Sequence, residues 1–149
     1  MRKKICILLA VLWMGFIFYM SHQPEKISRV QSNNVIRVIK KVSKSEEIKK
    51  NINSFVVRKG AHMFLFCVLG ILFFGSVYNG DNILKSVFIA LLLAFLYACS
   101  DEYHQTFVVG RSGQFDDVLI DFIGAFIGVF IVSLIVKLNI FKKKIQVTM

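Results

Sequence analysis

Four apolar blocks divide this chain, and each is just long enough to cross a lipid bilayer. They run over about residues 4–20, 62–78, 83–100 and 118–137 of a single 149-residue domain. A hydrocarbon core of about 30 Å takes about 20 apolar residues in helical form. The apolar residues come in blocks and are not spread at amphipathic helix or strand periods. The expected fold is therefore all-α and integral to the membrane, with four transmembrane helices. An amphipathic helical first loop would occupy 21–61, and a polar re-entrant or interfacial loop 101–117. Composition agrees, because 56% hydrophobic residues and fifteen Phe do not fit an ordinary soluble domain.

The formal charge of +10 could by itself suggest a nucleic acid partner. Here the basic residues flank apolar blocks, so anionic lipid headgroups are the expected partner and nucleic acid is not. Cys6, Cys67 and Cys99 each lie inside an apolar block without C-x-x-C or zinc spacing. They read as small buried hydrophobes.

Arg2-Lys3-Lys4 before Ile5–Met20 resembles the opening of a signal peptide. The exit through Phe18-Tyr19-Met20 lacks small residues for cleavage, so an uncleaved first helix is expected. Pro24, the sole proline, ends it. Beyond it, Val35, Val38, Ile39 and Val42 recur at helical spacing against Arg37, Lys40, Lys41 and Lys44. That pattern suits a helix lying on a membrane surface or a solvated helix against the bundle. Ser43 followed by Glu46 fits a capping box. Asn79-Gly80-Asp81-Asn82 reads as a tight turn.

Four spans place both termini on one side, together with eight of the nineteen basic residues. The long loop and Arg111 carry the other eleven. A plain count favours a cytoplasmic loop. The residues nearest the span ends weigh most, and Arg2-Lys3-Lys4 with Lys142-Lys143-Lys144 favour cytoplasmic termini.

Odd spans end, and even spans begin, on the same side. Ser21-His22-Gln23, then Arg58, Lys59 and His62, then Asp101, Glu102, His104 and Gln105, and finally Asp116, Asp117 and Asp121 therefore gather at one membrane face. Polar groups at membrane depth are costly, so such a gathering marks a candidate site. Arg58 and His62 share a helix face, as do Asp117 and Asp121. Gly124 and Gly128 continue the second stripe at a spacing that permits close helix packing.

Several chemistries suit these residues. In a catalytic reading His62 or His104 is a general base, with Asp101, Glu102 or Asp117 orienting it or carrying protons. In a binding reading Arg58, Lys59 and Arg111 hold a phosphate or carboxylate, joined by Gln23, Gln105, Asp116 and Asp121. His62, His104 and the carboxylates could bind a divalent cation, although no H-E-x-x-H occurs. A buried ion-pair network holding four short helices together accounts for the charges equally well. Four short spans leave little room for the alternating halves of a transporter. No nucleophile motif is present, and the residues assign no cofactor, no specific metal and no oligomeric state.

The chain resembles the VanZ family of membrane proteins. The resemblance rests on Phe18-Tyr19-Met20-Ser21-His22-Gln23-Pro24 with Ser28 and Ser32, and on Arg58-Lys59-Gly60-Ala61-His62 with Phe64, Leu69 and Gly70. Its most specific part is Asp101-Glu102-Tyr103-His104-Gln105-Thr106-Phe107, then Gly110-Arg111, Asp116-Asp117-Val118, Gly124 and Gly128. It implies a small polytopic protein of the bacterial, Gram-positive cell envelope, linked through the founding member to glycopeptide antibiotic resistance. The function expected on that basis is to recognise or modify a lipid-phase or cell-wall-precursor ligand. The alternative is an accessory protein whose charges hold its fold and contact a partner. Two positions depart from the family pattern: Leu65, where many relatives carry an acid, and Val109-Gly110, where proline-glycine is common.

Overall fold

The computed structural model describes the backbone of residues 2–148 and the side chains of 2–140. The side chains of Lys142-Lys143-Lys144, on which the terminal charge argument leans, lie outside that range. The order is α1 (Arg2–Ser21), α2 (Glu25–Val42), α3 (Glu46–Asn51), α4 (Ser54–Val77), α5 (Ile83–Gln105) and α6 (Phe115–Thr148). The described residues form no strand. Helices α1, α4 and α5, and α6 over Phe115–Ile140, are each long and apolar enough to cross a membrane.

Local chemistry sets most of the boundaries. Asn53 and Asn82 accept the amides of Val56 and Lys85, each at 3.0 Å, and so start α4 and α5. Helix α4 therefore opens at Ser54, eight residues before the expected 62. Helix α5 continues to Gln105 and does not stop near 100. Nothing in Ser100–Gln105 breaks a helix, and Asp101, Glu102 and Gln105 turn into the bundle. The loop between α5 and α6 shrinks accordingly, from the expected 101–117 to 106–114.

The cap expected at Ser43 falls to Ser45, whose hydroxyl accepts the Ile48 amide at 3.4 Å. Ser43 is extended (φ −70°, ψ 131°) and closes α2, and its hydroxyl accepts the Ser45 amide.

Helix α4 sits at the centre, packed against α1, α2, α5 and α6. Its Phe66, Leu69 and Phe74 are fully buried. Helix α5 meets the bundle with one small-residue stripe, Ser86, Ala90, Ala94 and Ala98. Its large side chains Leu84, Phe88, Leu92 and Leu96 point outward, as expected where the surroundings are lipid. Helix α1 is tied in by two side chain to backbone hydrogen bonds. Trp13 Nε1 donates to the Leu65 carbonyl at 2.9 Å, and Tyr97 donates to the Met14 carbonyl at 2.6 Å. Leu65 itself is a buried core residue, so the position where relatives carry an acid is apolar packing here.

The tightest contact joins α4 to α6. A side chain on Gly124 would run into the Met63 carbonyl, and one on Gly128 into that of Cys67. From the other helix, Gly70 faces the Ala125 carbonyl in the same way. The two backbones can touch because these three positions have no Cβ. Both helices start at the same end of the bundle, so this contact also aligns their polar first turns.

Helix α2 packs against α4, with Ser28 and Ser32 buried and the Ser32 hydroxyl donating to the Ser28 carbonyl of its own helix. Val35, Val38 and Val42 are exposed on it, leaving the apolar stripe uncovered by the protein.

Candidate functional site

The polar site is built at the end of the bundle where α1 and α5 finish and α4 and α6 begin. Its base is a chain of hydrogen bonds. Ser21 Oγ donates to Asp101 Oδ2 at 2.8 Å, and Gln105 Nε2 donates to the same oxygen at 3.0 Å. Arg111 Nη1 then donates to Gln105 Oε1 at 2.8 Å. Ser21, Asp101 and Gln105 are all buried. The i, i+4 step from Asp101 to Gln105 exists only because α5 runs through both.

Arg111 comes from the loop and is held by α1. Its Nε donates to the Gln23 carbonyl at 3.0 Å, and Nη2 lies 3.5 Å from the Met20 carbonyl. Carbonyls at a helix C-terminus favour a cation. The loop reaches this position through Gly110, whose φ of +80° suits glycine. A Cβ there would press on Glu25 at 3.1 Å. The neighbouring Val109 carbonyl accepts the Glu25 amide at 3.3 Å. The turn thus keeps its left-handed glycine without the proline common in relatives.

Burial, and after it the like charge of Arg58, pulls the Arg111 guanidinium below its ordinary value. Arginine remains a cation regardless. Glu25, which also faces the cavity at this end, pairs with Arg29 at 2.5 Å. That hydrogen bond, first, and the arginine's charge hold the Glu25 carboxyl below the usual range.

Helix α6 is anchored by two acids. Glu102 Oε1 accepts the Gln114 amide at 2.7 Å, one residue before the helix starts. Asp117 Oδ1 takes Lys59 Nζ as an ion-pair partner at 2.6 Å, joining α4 to α6. One turn deeper, His62 Nδ1 lies 3.7 Å from Asp121 Oδ1.

Between these groups lies a cavity of about 120 Å³. Arg58, Lys59 and His62 line it from α4, Gln105 from α5, Arg111 and Ser112 from the loop, and Asp117 and Asp121 from α6. Arg58 and Arg111 have no carboxylate partner among the described residues.

Other residues singled out in the sequence fall elsewhere. His104 lies beside the cavity wall, with its Nε2 3.1 Å from His22 Nδ1 and its ring stacked on Phe18 at 4.2 Å. Asp116 is exposed and does not line the cavity. Gln23 contributes its backbone carbonyl, while its side chain turns back to the Tyr19 carbonyl. Ser21, placed at this face by the span order but given no role, joins the assembly, and so do Glu25 and Gln114, which were not singled out for it. Ser21 was legible as a hydroxyl at the end of a span, and Gln114 acts through its amide, which no side-chain pattern reveals.

A family model described as VanZ/LLP1 matches residues 6–136. The chain belongs to the VanZ/LLP1 family. No curated protein and no solved structure matches it. The matched span takes in all four apolar helices and the whole polar end, so the described site lies wholly within the VanZ/LLP1 region.

Proposed function

We propose that this VanZ-family membrane protein binds an anionic, phosphate-bearing ligand of the membrane phase at the polar end of its bundle. The ligand class is a lipid headgroup or a lipid-linked cell-wall precursor. The observation that carries the reading is the pair Arg58 and Arg111. Both line one cavity, and neither has a carboxylate partner among the described residues. Two like charges facing a shared space repel, and a ligand anion between them relieves that cost. Arg111 spends three of its five N–H groups on protein oxygens, which leaves two for a planar, bidentate grip on a phosphate.

With the termini cytoplasmic, as Arg2-Lys3-Lys4 favours, the cavity opens on the outer face of the cell membrane. That is the face where envelope assembly and glycopeptide antibiotics act, and it gives the link to resistance a physical setting.

A second reading is supported by the Ser21–Asp101–Gln105–Arg111 chain, which ties α1, α5 and the loop together by itself. In that reading the charges serve the fold, and a protein partner takes the exposed surface.

Native mass spectrometry of the purified protein separates the two. The ligand reading expects co-purified phospholipid or lipid-linked phosphate that is lost from Arg58→Ala protein of unchanged stability. Equal lipid retention by wild type and variant, with the variant less stable, supports the scaffold reading and contradicts the ligand one.

A further inference from the structure

The deepest part of the polar end holds a cluster that anion binding does not explain. His62 on α4, Asp101 on α5 and Asp121 on α6 each offer one donor atom, and these atoms all lie within 4.8 Å of one another. Both aspartates are 2% exposed. Among the described residues Lys59 pairs with Asp117, Arg111 reaches Asp101 only through Gln105, and Arg58, which lines the same cavity, forms no ion pair with either aspartate. Two buried carboxylates thus face one imidazole, and among the described residues no lysine or arginine is bonded to either.

We propose that His62, Asp101 and Asp121 are the protein donors of a divalent metal site. A neutral imidazole and two carboxylates carry a charge of about −2, which one divalent ion neutralises where no other partner does. Three donors on three helices leave coordination positions for water or a ligand oxygen, the pattern of an open site. Mixed nitrogen and oxygen donors suit a first-row ion such as Mn²⁺ or Zn²⁺. Ca²⁺, which takes six to eight oxygens, suits them less.

The support around Asp101 points the same way. Its Oδ2 receives Ser21 and Gln105, while Oδ1 is buried with no hydrogen-bond partner among the described residues. Buried oxygens without partners are rare because desolvation goes uncompensated. Holding one carboxylate oxygen in hydrogen bonds and leaving the other bare is how outer residues orient a metal ligand. Ligand atoms around such an ion stand roughly 3–3.4 Å apart, as bonds near 2.1 Å require. From within 4.8 Å, closing to that spacing requires donor shifts on the order of 1 Å. The inference stands apart from anion binding, because metal alone is its readout.

The test uses the full chain in detergent, stripped with a chelator and then titrated with Mn²⁺ or Zn²⁺. Elemental analysis should find about one tightly held ion per chain, and Tm should rise on titration. Asp121→Asn, close in shape, should lose at least tenfold in affinity and show no Tm rise. Ser21→Ala keeps all three donors and should bind about 10–100-fold more weakly, as outer residues do. The His22→Ala/His104→Ala double variant should bind as wild type does. No retained metal and no Tm rise in the wild type overturns the proposal. So does binding that follows the His22–His104 pair, or binding that Asp121→Asn leaves intact. If Asp121→Asn fails to fold, the wild-type titration and Ser21→Ala decide.

Discussion

Gly124 lies directly against the backbone carbonyl of Met63, so α4 and α6 meet backbone to backbone at mid-bundle. Gly128 against Cys67 repeats the contact one turn on. This contact fixes the height of Asp117 and Asp121 relative to Lys59 and His62. The site's geometry is therefore a consequence of glycines that bear no functional group.

Gly124→Val should cost at least about 3 kcal/mol, the upper end of overpacking penalties, because the clash is with backbone that cannot rotate away. Protein level and detergent Tm are the readouts. Normal accumulation of Gly124→Val protein would mean that the helices are not in contact there.

The Lys59–Asp117 pair is only partly exposed, at 20% and 30% of its side-chain surfaces. A double-mutant cycle with Lys59→Met and Asp117→Asn should give a coupling on the order of 1 kcal/mol, above the usual surface pair but discounted for solvent. Additive losses would show that the two charges stabilise nothing jointly.

Glu25 titrates below the ordinary carboxylate range because Arg29 bonds its charged form. The pair is therefore intact above Glu25's ordinary value, and it is lost as pH falls through the lowered one. An NMR titration of labelled Glu25 should show its midpoint rise in Arg29→Ala. An unmoved midpoint would exclude the pairing in solution.

Much of this was legible in the sequence. Four apolar blocks demanded four helices, and the parity of the spans brought Arg58, Asp101 and Asp121 to one end. The extent of α5 was less plain. Asp101, Glu102 and Gln105 look like loop chemistry beside an apolar block. Yet Ser86, Ala90, Ala94 and Ala98 recur every four residues, and the same face continues into Asp101, Glu102 and Gln105. Reading that small-residue stripe forward predicts that these polar groups are buried. His104 projects from the flank of this stripe toward Phe18 and His22, a placement its spacing in the sequence does not reveal. Arg111's grip on the carbonyls of α1 was not legible at all, because backbone acceptors leave no side-chain pattern.

Topology is open to direct test. Single cysteines at the exposed Asn34 and Asn79 should label from opposite sides of intact cells, with Asn34 outside if the termini are cytoplasmic. Labelling of both from the same side would break the one-face assembly of the site.

The most direct measurement of ligand recognition is headgroup binding to the protein in nanodiscs. Phosphatidic acid and phosphatidylglycerol should bind more tightly than phosphatidylcholine, whose net charge is zero. Arg111→Lys keeps the charge but loses the planar fork, and it should weaken anionic binding about tenfold or more while Tm holds, equivalent to about 1.4 kcal/mol. His104→Ala, outside the cavity, should bind as the wild type does. Equal affinity for all three headgroups, or anionic binding that Arg58→Ala and Arg111→Lys leave unchanged, would contradict the account.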